Sequence, residues 1–259
     1  MLTKRSVTAI TQYGRKHGFE NRTQEVIHTI EDMLPSLGAQ SKSRVMINRI
    51  GITLLQENVT VIAPSCPDYS HTRGKYDFTS VGAGVPLLSR LHIEFLEHIA
   101  TLVPRMRCEI VVADQEVSDE ALCKKIGHTK DGFLSLIHRS IAATSEYVAP
   151  KGWCVAAMTE RFPELEALET VITKEIASDQ SLQSRLKHDT LARSDMYRMI
   201  GVYDTEAMHR RTIRTAAQYC ALAHIAARDK LLVCNHETVN LGWYNRYGAA
   251  VLHNPISVY

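Results

Sequence analysis

The sequence predicts an α/β fold, a mostly parallel sheet flanked by helices with a helical second half. Three observations predict it. VTVIAP (59–64) and CEIVVAD (108–114) are short, continuous apolar runs rich in β-branched residues, as strands buried on both faces require. Between them, LLSRLHIEFLEHIATLV (87–103) has apolar residues at three- and four-residue spacing and is stopped by Pro104. Strand, loop, helix and strand make a βαβ unit with a right-handed crossover. From Glu160 onward helical spacing dominates, and strands return only near the end.

The remaining elements follow in order. Residues 1–35 carry mixed helical signals, with Val26, Ile27, Ile30 and Leu34 on one face, and SRVMINRIGITLL leads into the first strand. PSCPDYSHTRGKYDF reads as a loop and TSVGAGVP as a glycine-rich turn. TKDGFLSLIHRSIAATSEYV is a helix opened by Thr129 or Asp131. Helices are expected over 160–179, 181–201 and 204–229, then strands at KLLVCNHE (230–237) and AAVLHNPISVY. No repeat, linker or low-complexity run divides the chain. Residues 1–259 are expected to form one Rossmann-like domain.

Composition narrows the class. At 45% hydrophobic and 22% charged residues with net charge +2, the chain reads as an ordinary soluble protein. Seven Lys/Arg against four Asp/Glu between Arg185 and Arg214 leave room for a local anion-facing surface. The six cysteines, at 66, 108, 123, 154, 220 and 234, lack CxxC spacing and several lie in apolar runs. They are expected to be buried, reduced thiols of a cytoplasmic protein. No apolar leader core or membrane-length segment stands in the sequence.

Ligands of an open parallel sheet bind outside the carboxyl ends of its strands. Three loops leave such ends: SCPDYSHTRGKYDF, DQEVSDE and NHETVNLGWYNRYG. In the first, Ser65 stands two residues past the strand beside Pro64. It either presents a nucleophilic hydroxyl or, with Asp68, caps a turn. Tyr69, Arg73 and Lys75 follow, the last two beside Gly74 and suited to phosphate, although no P-loop or GxGxxG is present. No standing cofactor is therefore expected. Asp114 and Glu116 either bind hydroxyl or ammonium groups of a ligand or cap the next helix. In the third loop, His236, Glu237 and Asn240 are candidate substrate contacts. His224, His236, Glu237 and His253 include no His pair at zincin spacing, so no metal is expected.

The helix over 206–227 has an apolar stripe of Ile213, Ala216, Ala217, Cys220 and Ala227. Arg211, Thr215 and Tyr219 repeat every four residues on another face, with Arg214 nearby. That row either recognises an anionic or carbonyl-bearing substrate or forms a solvated basic face.

The order of these features resembles the tRNA-dependent cyclodipeptide synthases, Rossmann-like enzymes similar to class I aminoacyl-tRNA synthetase catalytic domains. In that family a strand enters a glycine-isoleucine-serine-proline-x-asparagine turn whose serine takes the first aminoacyl group. VIAPSCPDYS places Ser65 at that nucleophile and Asp68 near the asparagine. VVADQEVSDEALCKKIGHTKDGFLSLIHRSI resembles the following strand, acidic loop and long helix. AAQYCALAHIAARDKLLVCNHE resembles the later helix and strand, with Tyr219 at the family's tyrosine. The sequence departs from the pattern where Ala223 replaces the catalytic glutamate, with His224 beside it. It departs again where Ala63-Pro64 replaces the glycine and Asn235-His236 the tyrosine-histidine pair. Of the basic tRNA-facing helix only His138 and Arg139 remain, besides Lys130.

The resemblance implies a transferase acting on an amino acid or aminoacyl-tRNA, with Ser65, Tyr219 and His224 catalytic and no membrane partner. PSCPDYSHTRG and IVVADQE also resemble isocyanide synthases, which implies an amino-acid amine converted with a sugar phosphate held by Arg73 and Lys75. A non-catalytic ligand- or RNA-binding protein is the third reading. The oligomeric state is not encoded in any of these features.

Overall fold

The computed structural model describes residues 1–35, 37, 42–65, 70–72, 75–77, 85, 87–125, 127–192, 194–199, 201–227, 229–234 and 247–253. The mixed signals over 1–35 resolve into two helices, α1 (Lys4–His17) and α2 (Glu20–Met33), and SRVMINRIGITLL forms α3 (Arg44–Leu54). Thr3 caps α1 by accepting from the Ser6 amide, and Arg15, Lys16 and His17 complement the dipole at its other end. Gly51 lets α1 and α3 touch, since a Cβ there would lie 2.6 Å from Ile10 Cδ1. Arg22 closes the end of α3, its guanidinium donating to the carbonyls of Leu54, Leu55 and Gln56.

β1 (Thr60–Ser65) then enters the centre of the molecule. The loop after it contains a small antiparallel pair, β2 (Ser70–Thr72) and β3 (Lys75–Asp77). α4 (Leu87–Leu102) and β4 (Arg107–Val112) complete the expected βαβ unit. A 3-10 turn (Gln115–Ser118), α5 (Glu120–Lys125) and α6 (Lys130–Val148) follow. Of the two proposed caps for α6, Thr129 holds the position, accepting from the Gly132 amide. β5 (Cys154–Ala157) runs straight into the one-turn α7 (Met158–Arg161), and no strand is expected there from sequence. Four residues are too few to show a period, and Cys154 is exposed.

The second half is helical as expected: α8 (Leu165–Ser178), α9 (Gln180–Ala192), α10 (Ser194–Met199) and α11 (Thr205–Ala226). The single helix expected over 181–201 is two helices, α9 and α10. Asp204 caps α11 by accepting from the Glu206 and Ala207 amides. β6 (Lys230–Cys234) and β7 (Ala250–His253) finish the sheet, and residues 235–237 and 254–259 of the expected strands lie outside the described residues.

The five strands are all parallel, in the order β5-β4-β1-β6-β7. Numbered along the sheet this is 3-2-1-4-5, the Rossmann order without its sixth strand, so the fold class is α/β and Rossmann-like. β1 and β6, with β4 beside them, form the core: Val61, Ile62, Ala63, Val111, Leu231, Leu232 and Val233 have no exposed surface. α4 packs on β1, α6 on β5, α3 on β7, and α11 lies between α8, α9 and β6. Among the described residues no helix is long and apolar enough to cross a membrane.

Candidate functional site

The strand order reverses between β1 and β6, and the crevice of such a sheet opens above that point. The register explains how it opens here. β1 pairs with β4 as far as Ser65↔Val112, but with β6 only as far as Ile62↔Leu232. Along a parallel strand, alternate residues turn their amide and carbonyl to opposite neighbours. The Ser65 carbonyl accepts from Ala113 N at 2.9 Å on the β4 side, so residue 64 faces β6. Residue 64 is proline and has no hydrogen to donate. The β1–β6 ladder ends there.

Ser65 is the last residue of β1, not a residue two positions beyond it, and only 2% of its surface is exposed. The expectation of an exposed turn hydroxyl is corrected accordingly. The strand continues because β4 extends beside it and holds its carbonyl. Asp68, Tyr69, Arg73, His236, Glu237 and Asn240 lie outside the described residues. Lys75 stands in β3 and Glu116 in the 3-10 turn; both are placed by backbone only.

Asp114 lies two residues past the end of β4, the strand that pairs with Ser65 through Val112. One carboxylate oxygen accepts from the Thr159 amide at 3.2 Å and the other from the Thr159 hydroxyl. The expected cap of the next helix is not where the Asp114 carboxylate goes. Asp114 caps α7, tying the end of β4 to the end of β5, and it is 7% exposed. The sequence could not show this, because Thr159 is 45 residues away.

Arg211 is half-buried and Arg214 exposed, and both are paired with side chains distant in sequence. Arg211 is salt-bridged to Asp119. Arg214 donates to the Ser118 hydroxyl at 2.9 Å and lies 3.5 Å from Glu169 of α8. Burial pushes the Glu169 carboxyl above its ordinary range, against the opposing pull of Arg214 and of a hydrogen bond from Gln115. Asp119, Glu169 and Thr159 are thus polar participants that local sequence reading missed. The two arginines bolt α11 to the segment that follows β4.

Tyr219 is not on a polar face either. It is 8% exposed and belongs to the core with Ala216, Cys220 and Ala223, while the expected stripe residues Ile213 and Ala227 are only half-buried. α11 is covered from several sides, so its buried arc is wide. Tyr219 lies eight residues, about 12 Å of helix, beyond Arg211. His224 is further still. It is exposed and meets the Tyr247 ring edge-on at 6.0 Å, and the Tyr247 hydroxyl donates to Glu175 at 3.0 Å. Tyr247 precedes β7 and α11 ends where β6 begins, so His224 sits at the amino edge of the sheet, away from Ser65 and Asp114.

One further buried polar group was not anticipated. His92 of α4 is 1% exposed, and its pKa falls from 6.5 to about 4 because burial disfavours the charged ring. It hydrogen-bonds the backbone of Val233. That bond favours the proton-bearing ring, so the partner is the carbonyl.

Elsewhere, an open cleft of about 350 Å³ lies by Arg22, Glu25, Thr29, Leu102 and Arg105. It adjoins the turn into β4, at the amino edge, and Arg22 is already committed to the end of α3. Among the described residues no cluster of three or more His, Cys, Asp or Glu could hold a metal ion. Four of the five described cysteines are buried and all five are free thiols; burial pushes the Cys108 thiol far up and that of Cys123 up as well. Comparison with protein-family models, with characterised proteins and with solved structures gives no match.

Proposed function

We propose that the chain is a small-molecule biosynthetic transferase handling an amino acid or aminoacyl group, with Ser65 as acyl acceptor. The observation that carries this reading is the place of Ser65, at the end of the central strand and at the reversal of strand order. A sheet of this kind directs ligands to that point. The reaction is an ester exchange. The Ser65 oxygen bonds to the acyl carbon of the donor, the donor hydroxyl leaves, and the serine proton passes to it. No oxidant or reductant is needed. The burial of Ser65 suits an ester that must outlast contact with water. The amine of a second aminoacyl ester then takes the acyl group and frees the serine, and the free amine of the resulting dipeptidyl ester closes on its own ester carbonyl, releasing the second donor hydroxyl and a diketopiperazine.

With Arg211 and Arg214 engaged by Asp119 and Glu169, substrate recognition falls to the loops after β1 and β6. The test is mass spectrometry of extracts from a host expressing the chain or its Ser65→Ala form. Diketopiperazine production should fall at least ~1000-fold in the variant, the scale expected for a lost nucleophile. Loss of one buried hydroxyl costs about 1 kcal/mol, so the melting temperature should move only a few degrees. Isonitrile products, or undiminished product from Ser65→Ala, would overturn the proposal.

A further inference from the structure

We propose that the His92 imidazole takes the place of the amide hydrogen that Pro64 lacks, donating to the Val233 carbonyl and setting how far β1 and β6 part. The inference rests on backbone register and stands independently of acyl transfer at Ser65.

With Ile62 opposite Leu232, the next bond of a continuous ladder would run from the amide of residue 64 to the carbonyl of residue 233. Proline cannot make it. Val233 has no exposed surface, so water is not at hand for that carbonyl, and an unmet buried acceptor is costly. α4 packs against β1 and delivers His92, itself 1% exposed, to this carbonyl. A backbone N–H would draw the strands to ladder spacing, about 4.8 Å apart. A ring donor reaching in from a helix satisfies the same acceptor without drawing them together. His92 is therefore a positioning residue for the crevice. It ties α4, β1 and β6 where the ladder between the two strands ends.

A double-mutant cycle on the full chain tests this, with thermal unfolding as the readout. His92→Leu should lower the melting temperature by roughly 5 °C or more in the natural background. In a Pro64→Ala background the restored amide can reach Val233, and the same change should cost less than half as much. Equal losses in the two backgrounds would overturn the inference. Should Pro64→Ala not fold, the histidine ring decides the matter in the unaltered protein by nitrogen-15 NMR. A neutral ring with one slowly exchanging N–H near pH 6 supports it. A charged ring there, or an N–H exchanging at solvent rates, defeats it.

Discussion

The carboxyl edge of the sheet has two halves that treat their polar residues in opposite ways. On the β4–β5 side three carboxylates are cross-tied. Asp114 holds Thr159, Asp119 holds Arg211, and Glu169 holds Arg214. On the β1–β6 side the ladder stops at Ile62, Pro64 withholds its hydrogen, and a histidine from another element reaches in. The first half is a fastening and the second an opening. Reactive-looking residues at strand ends are therefore not equivalent candidates. Those whose atoms are all engaged by distant protein groups serve the scaffold, and the search for chemistry narrows to Ser65 and its neighbouring loops.

Acid is the strongest way to break the contrast. The His92 pKa is lowered in the folded chain from 6.5 to about 4, so between those values the unfolded chain binds more protons. Stability should therefore fall as pH drops from about 6.5 to 4, by up to about 3 kcal/mol from this group. Denaturant unfolding across that range checks it, and His92→Leu should flatten the slope. A slope unchanged by the substitution would mean that the opening contains no buried neutral ring.

Next in size is the fastening at Asp114. Asp114→Ala removes both bonds to Thr159 and should destabilise by about 2 kcal/mol. Product formation per folded molecule should be retained, since both carboxylate oxygens face protein. A stable but inactive Asp114→Ala protein would move this residue to the chemical half.

The smallest test compares the two arginines. Arg211 and Asp119 have side chains 24% and 16% exposed, and Arg211→Ala should cost about 1–2 kcal/mol. The Arg214 side chain is 47% exposed, so Arg214→Ala should cost under about 1 kcal/mol. Calorimetric melting of both variants sharpens the ranking; equal losses would show that exposure does not govern these ties.

What was legible in the sequence divides along physical lines. β1, β4 and α4 were readable because a buried strand is continuously apolar and a helix repeats every three to four residues. β5 was not, being four residues long and exposed at its start. The burial of Ser65 depends on β4 running alongside it, which no local pattern records. Asp119 lies 92 residues from Arg211, and Ser118 lies 96 residues from Arg214, so no local pattern shows that this basic row is paired. The position of His224 was recoverable. A crossover helix ends where the next strand starts, which puts its last turn at the amino edge.

The contact between Met46 and Val251 has a consequence for how this protein avoids its own kind. β7 is an outer strand, and the outward amide of Val251 donates to the Met46 thioether at 3.0 Å. A strand margin with free donors is a template on which a second chain can add and fibrils can grow. α3 covers this margin with a soft sulfur acceptor, while the opposite margin, β5, is only four residues long. Met46 is 1% exposed, which also shields the sulfur from oxidants. Oxidised to a sulfoxide, it would have to accommodate a polar oxygen inside an apolar seam.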